Sequence, residues 1–324
     1  MNRRLVPVFL MLALPLAAQQ RAAVGDMVPD FSFGQMLRND GRQRLSDFYG
    51  QPVVLDFWGV HCPPCIGAAV PAAIKHDHEH ASSGLVTVLV HSQQATPDQL
   101  QAFMFKMFPD SDCFLTTGCS TPTPEFSGIP HASIIGVDGK LLWDGHALEN
   151  PKRMDELIAA ELVKVKKGWG ETAEHKKVRA VLYGKDDLAG AAALVAAMPE
   201  GEAKTQLQAE IDRRYTVKKK AVEALVAQGR IADAQGAAKD LLKAVGTKAD
   251  WAGEVQPMLA EFDSDANKAE IAAEKKLAAI EKQLREKKRD PAKKALEALV
   301  KSAGSTKVGE RAQRYLTALA TELP

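Results

Sequence analysis

Cysteine is scarce in this sequence, with four residues in 324, at positions 62, 65, 113 and 119. Only one Cys-x-x-Cys occurs, so a zinc site built from two such motifs is excluded, and zinc on Cys62 and Cys65 needs two further ligands. Charge of one sign is also lacking. Lys plus Arg is 42, Asp plus Glu is 41, and the formal net charge is +1. That balance gives no overall electrostatic case for a nucleic-acid partner, and none is expected. Beyond the first residues no apolar run approaches the length of a membrane span. From Gly168 to Pro324 there is neither a cysteine nor a convincing strand.

What the chain does have begins at its first residues. Asn2-Arg3-Arg4 is basic, Leu5 to Leu16 is largely apolar, and Ala17-Ala18 offers small residues before Gln19-Gln20. This pattern reads as a secretory signal over residues 1–18, cleaved after Ala18. An uncleaved anchor is the alternative, but the apolar run is short for a full span. No cysteine near the cleavage point is available for lipid attachment. The expectation is an exported protein, soluble after cleavage and most simply periplasmic, whose cysteines sit where disulfides can form.

Val53 to Cys65 organises the rest. Val53-Val54-Leu55-Asp56-Phe57-Trp58 is a short run rich in β-formers and reads as a central strand. It leads at once into Cys62-Pro63-Pro64-Cys65 and then a segment able to start a helix. Two thiols at this spacing can close and reopen a disulfide. The free N–H groups and positive end of the helix favour a thiolate at Cys62, the species that attacks disulfides. Cys65 lies nearly one turn in and would resolve a mixed disulfide. A static structural disulfide is the plainer alternative. Asp56 is a carboxylate inside an apolar run, where burial raises its pKa and requires a partner or a task.

Asp56-Phe57-Trp58-x-x-x-Cys62-x-Pro64-Cys65 resembles the thioredoxin active-site segment. Cys62-Pro63-Pro64-Cys65 on an exported chain is similar, more narrowly, to TlpA/ResA-type thioredoxin-like proteins. Val24-Gly25-Asp26-x-x-Pro29-Asp30-Phe31 is similar to the start of many TlpA-like and peroxiredoxin-like domains, where it precedes a β-hairpin. The resemblance covers about residues 24–150. It implies an α/β thioredoxin-like domain, a central mixed sheet flanked by helices, with an all-α region following. It casts Asp56 as proton acceptor for Cys65, and Ile129-Pro130 as the cis-proline step that presents backbone groups to a bound peptide. His61 stands where the thioredoxin segment has Trp, and can add positive charge beside Cys62 or simply face solvent. His131 follows the proline, so both histidines are expected near the cysteines, where they would tune the site or its substrate binding. No cofactor is called for. The expected partners are protein or peptide thiols and disulfides, with a separate redox donor or acceptor.

The expected domains are residues 19–165, thioredoxin-like, and 168–324, helical. In the first, Leu85 to Val90 reads as a strand, Thr96-Pro97-Asp98 opens a helix with Thr96 as N-cap, and Asp138-Gly139 marks a hairpin. The helix after Cys65 is expected to kink near Pro71. Glu149 to Val165 reads as an amphipathic closing helix, with Leu157, Ile158, Ala160 and Leu162 on its packed side. The second region is rich in Ala, Lys, Glu and Leu, which favour helices. Lys220 to Val226 is echoed by Lys294 to Val300, each followed by a glycine and a further helix candidate. Degenerate helix-pair repeats and coincidence fit this equally. Ala266 to Lys288 reads as a charged helix whose Ile271, Leu277, Ile280 and Leu284 either pack within the domain or form a coiled coil. Its charges read most simply as a solvated face, and the region could support self-association.

Cys113 and Cys119 are expected to pair as a structural disulfide in the irregular segment 109–130, or else to act as a redox relay. His76-Asp77-His78-Glu79-His80 invites a metal reading, since His76 and His80 are about one helical turn apart, but His78 would point away, no cysteine completes the set, and no metal is expected. The leading function is an exported thiol-disulfide oxidoreductase. A thiol peroxidase is the enzymatic alternative, although its Pro-x-x-x-Thr-x-x-Cys pattern would need Pro and Thr where Leu55 and Gly59 stand. A non-enzymatic envelope scaffold with a docking redox domain is the third.

Overall fold

The computed structural model describes residues 21–246 and 248–323. The proposed signal segment lies outside them. Among the described residues no helix is long and apolar enough to cross a membrane.

A six-stranded mixed sheet forms the core of the N-terminal part. Its strands are β1 (Gln35–Arg38), β2 (Val53–Trp58), β3 (Val86–His91), β4 (Phe114–Thr117), β5 (His131–Ile135) and β6 (Leu141–His146), in spatial order β1-β4-β3-β2-β5-β6. The β2–β3 and β3–β4 pairs are parallel; β1–β4, β2–β5 and β5–β6 are antiparallel. The Asp138-Gly139 turn joins β5 to β6 as expected, with Gly139 at φ +84°.

Strands β2, β3 and β5 are buried at every position, so alternation sorts side chains between two packed faces. One face carries Val53, Leu55, Phe57, Val86, Val88 and Val90, covered by Phe31, Phe33 and Phe48 of the N-terminal segment. The other carries Val54, Asp56, Trp58 and Leu89 and is covered by helices. These are α1 (Val70–His80), α2 (Pro97–Met107) and α3 (Pro151–Lys167). Thr96 caps α2 through a capping box with Gln99. In α3 the buried positions are Met154, Ile158, Glu161 and Val165, whereas Ala160 is exposed, so the packed stripe differs from the one the sequence suggested. Glu161 belongs to it because its carboxylate accepts the Val137 N–H at 2.9 Å, which ties the helix to the hairpin.

Among the described residues, the helices that follow are α4 (Ala173–Arg179), continued by a π-helical turn Ala180–Gly184, then α5 (Leu188–Ala196), α6 (Glu202–Ala227), α7 (Ile231–Val245), α8 (Ala249–Glu261), α9 (Asp265–Arg285), α10 (Arg289–Ala303) and α11 (Lys307–Ala320). Each echoed segment ends the first helix of a pair. Lys220 to Val226 closes α6 before α7, and Lys294 to Val300 lies in α10 before α11. The two turns are not alike. Gly229 takes φ +72°, and a Cβ there would meet the Lys307 backbone at 3.0 Å, whereas Gly304 is right-handed at φ −61°. The α9 stripe packs internally. Ile271 joins the α6–α7 cluster, and Leu277, Ile280 and Leu284 pack with α10 and α11.

The helices return to the sheet domain at several points. Tyr183 lies so close against Gly50 that a Cβ there would collide with its ring. Tyr315 of α11 stacks on Phe105 of α2 with ring centroids 4.7 Å apart. Near the first contact, Arg179, which lies beside Tyr183, forms a buried ion pair with Glu210, with Nε–Oε2 at 2.9 Å, and Arg179 also donates to the Trp169 carbonyl at 3.2 Å. Removing one partner leaves a buried charge uncompensated. Glu210→Ala is therefore expected to destabilise the protein by about 3–5 kcal/mol in urea unfolding, well beyond the cost of truncating an exposed glutamate.

Candidate functional site

Strand β2 delivers the site. Its last residue, Trp58, is followed by Gly59, over which the Gln93 side chain lies so close that a Cβ would collide with it. The Gln93 carboxamide oxygen then accepts the His61 N–H at 2.8 Å. Gly59 thus allows a side chain from the loop after β3 to pin the approach to Cys62. The Cys62 N–H donates to the Gly59 carbonyl at 3.2 Å, and the Ile66 N–H to the Cys62 carbonyl at 3.0 Å, which starts the helix. The first turn, Cys65–Ala69, is π-helical, and α1 begins at Val70 with Pro71 in its first turn. Pro71 lacks an N–H, and the change from π-helical to α-helical turns falls next to it, where the sequence suggests a kink.

Cys62 and Cys65 are joined as a disulfide. Both are buried, and Cys62 is the more accessible, at 5% against 0%. The Cys65 N–H points at the Cys62 sulfur at 3.3 Å, and the Ile129 carbonyl oxygen lies 3.7 Å from that sulfur. The Ile129-Pro130 peptide bond is cis. The segment 109–130 therefore brings a backbone acceptor to the more accessible cysteine, from a loop 67 residues away in sequence.

Asp56 sits on the sheet face against which both cysteines pack, two residues before Trp58. Its cross-strand neighbours are Leu89 and Ala132, its Oδ1 has no hydrogen-bond partner, and burial pushes its carboxyl up to about 7. A carboxyl held there can take or release a proton near neutral pH.

The two histidines flanking the site part company. His61 is exposed on the Cys62 loop. His131 pairs with Phe57 across β5 and β2, which puts it on the opposite sheet face from Asp56 and Trp58. There it stacks on Phe126 at 4.4 Å, and its Nε2 lies 3.0 Å from Asp144, which also accepts from Ser133. Adjacency to Pro130 in sequence does not bring its ring to the cysteines, because successive strand residues point to opposite faces.

The expected Cys113–Cys119 disulfide does not form; both are free thiols. Strand β4 lies between them and alone spans about 10 Å, whereas a disulfide needs its Cα atoms within about 7 Å. Cys113 is buried in the cluster that holds Cys62 and Cys65, while Cys119 packs against the other face. Burial raises both thiols, Cys119 up to about 12 and Cys113 further, the latter reinforced by Asp77. Neither is activated as a thiolate.

One site residue carries no signal in the sequence. His91 ends β3 in register with Trp58, meets its ring edge-on at 5.4 Å, and is 3% exposed with both ring nitrogens unpartnered. Burial, reinforced by His61, holds it down at about 4, so it is neutral at physiological pH. A strand buried on both faces shows no alternation, so the apolar run Leu85 to Val90 gives no sign that His91 continues it. The helical histidines are tied separately, His76 to Asp155 at 2.8 Å and His78 to the Asp110 carbonyl at 2.8 Å. Among the described residues no group of three or more His, Cys, Asp or Glu is placed to hold a metal.

The Redoxin family model matches residues 23–142. No curated protein matches the chain. Among solved structures, a candidate thiol:disulfide interchange protein DsbE from Chlorobium tepidum is 24% identical, covering 44% of this chain and 99% of its own, with a TM-score of 0.35. The thioredoxin domain of a thiol-disulfide oxidoreductase from Bacteroides vulgatus is 20% identical (41% and 96% covered, TM-score 0.32). A thiol-disulfide isomerase from Corynebacterium glutamicum is 17% identical (46% and 98% covered, TM-score 0.36). A thioredoxin-like domain of the Redoxin superfamily thus occupies the N-terminal part of the chain and carries a disulfide-forming cysteine pair.

The Asp56 carboxyl has an ordinary value of 3.8 and a folded value of about 7, so folding favours its protonated form. Its contribution is fully favourable below pH 4 and is lost as pH rises to about 7. Asp56→Asn is expected to leave stability unchanged at about pH 4 and to raise it at about pH 8 by on the order of 2–4 kcal/mol. Urea unfolding of the oxidised protein at about pH 4, 6 and 8 checks this; a difference independent of pH would mean that Asp56 does not titrate in this window.

Proposed function

We propose that this protein is an exported thiol-disulfide oxidoreductase that exchanges electrons with protein or peptide clients through Cys62 and Cys65. The observation that carries the reading is the arrangement around the disulfide. The more accessible sulfur meets an N–H donor and a backbone carbonyl, and the enclosed sulfur packs on the face that holds an ionisable carboxyl.

In the reducing direction, the Cys62 thiolate attacks a client disulfide, forming a mixed disulfide and releasing one client thiolate. Asp56 takes the proton from Cys65, whose thiolate then attacks Cys62 sulfur. The second client sulfur leaves as a thiolate, and the Cys62–Cys65 disulfide is restored. Two electrons have passed to the client. The reverse sequence oxidises a client dithiol. The Cys65 N–H stabilises negative charge on Cys62 sulfur in either direction, and the Ile129 carbonyl, 3.7 Å from that sulfur, is the proposed acceptor for an N–H of a client backbone. Export is proposed from the basic, apolar and small-residue pattern of residues 1–18. The helical residues 168–324 are proposed as a second unit that positions clients or a redox partner.

Loss of either thiol tests the order of events. Cys62→Ser is expected to abolish turnover of a model disulfide, whereas Cys65→Ser is expected to accumulate the mixed disulfide, visible by mass spectrometry. Asp56→Asn is expected to slow resolution of that mixed disulfide by about 100-fold, in the range of general-base effects, and its formation far less. Equal slowing of both steps would remove Asp56 from the proton transfer. The reduction potential of Cys62–Cys65 assigns the direction. A value near about −270 mV marks a reductase with a dedicated donor, and one near about −120 mV an oxidant of clients.

A further inference from the structure

The turn between α9 and α10 gathers basic side chains that are mostly without carboxylate partners. Residues 282–294 hold seven basic and two acidic side chains, while the whole protein has a net charge of +1. Arg285, Lys287, Lys288, Arg289, Lys293 and Lys294 are all exposed. Among the described residues, the only ion pair these six make is Lys288 with Glu286, at 2.7 Å. Elsewhere in the helices, Arg179, Arg214, Lys218 and Arg311 each have a carboxylate partner.

The fold sets this turn against the end of α2. The Arg289 guanidinium donates to the Lys106 carbonyl at 3.3 Å, and the Lys106 ammonium to the Thr321 carbonyl at 2.5 Å. The next residue, Met107, is 44% exposed, one of few large apolar side chains left in solvent. Within the turn itself the carboxylates are Glu286 and Asp290, against seven basic side chains, so it is positive.

We propose that the α9–α10 turn, with Lys106 and Met107, is a docking surface for an anionic phospholipid membrane. Four of the six cations are lysines, flexible point charges suited to a diffuse headgroup field rather than to bidentate pairing with one carboxylate. Met107 supplies an apolar contact at the same edge. Segment 282–294 has no aromatic side chain to stack on bases, which disfavours a single-stranded nucleic acid. The topology adds a consequence. The parallel strands β3 and β4 are joined by α2, so the C-terminal end of α2 lies at the sheet end away from Cys62. A membrane held there leaves the disulfide facing outward.

Flotation of the full chain with vesicles tests this. Vesicles of phosphatidylglycerol and phosphatidylethanolamine are expected to carry the protein at low salt, pure phosphatidylcholine vesicles are not, and about 0.5 M NaCl is expected to release it. The triple variant Lys287→Glu, Lys288→Glu, Lys293→Glu should partition at least about 10-fold more weakly while keeping its circular dichroism and its reactivity at Cys62. Met107→Ser should weaken partitioning several-fold without changing the salt dependence. Both variants keep the same N-terminal residues, so the difference reads the turn alone. Equal binding by the triple variant, or no preference for anionic vesicles, would overturn the proposal. So would binding to a nucleic acid or a soluble acidic protein that survives vesicle competition.

Discussion

A strand buried on both faces has no place for a charge, yet β2 carries Asp56 at its centre. Everything around the disulfide depends on that tension. The neighbours that make β2 a good central strand, Leu89 and Ala132 across the ladder, are the ones that withhold a partner from the carboxylate. Burial alone accounts for its raised pKa, with no charged neighbour contributing. The group is thereby held near the pH at which a carboxyl can both accept and return a proton. The fold tolerates this cost because β2, β3 and β5 supply apolar burial along their whole length.

The end of β2 is shaped with similar economy of means. Gly59 has no side chain, so Gln93 can lie over it and bind the His61 N–H. That contact couples the loop after β3 to the loop before Cys62, and the parallel register that puts His91 beside Trp58 brings the two loops to the same edge. His91 completes a layer in which Trp58 is clamped between an imidazole and Phe103. Kept neutral by burial, it adds no competing charge below the disulfide.

Much of this is legible in the residues alone. The strand, the Cys-x-x-Cys junction, the buried Asp56, the Asp138-Gly139 hairpin and the helical character of the second region all follow from local pattern, and local pattern is what a sequence displays. The features that local pattern hides depend on face and distance. Cys113 and Cys119 are six residues apart, but an extended strand between them sends each to a different side of the sheet. His131 adjoins Pro130 and still points away from the cysteines, because the pleat reverses direction at each residue. The α3 stripe departs from its apolar pattern because Glu161 occupies a core position through its bond to the Val137 N–H, and a polar residue there does not show in such a pattern.

The helical region also has an orientation that composition does not disclose. Its contacts with the sheet domain lie at Asn39, Gly41, Gly50, Val137 and the Phe105–Lys106 end of α2. Gly50 precedes β2 and Val137 follows the antiparallel β5, so both lie at the end where β2 begins, and the α2 contacts are at that end too. Cys62, Ile129 and Gln93 lie at the other. The added helices thus brace the sheet from behind and leave the rim of the disulfide clear. The proposed exchange with a protein-sized client would need that clearance more than a pocket, since the reacting sulfur has only to be reached along one line of attack.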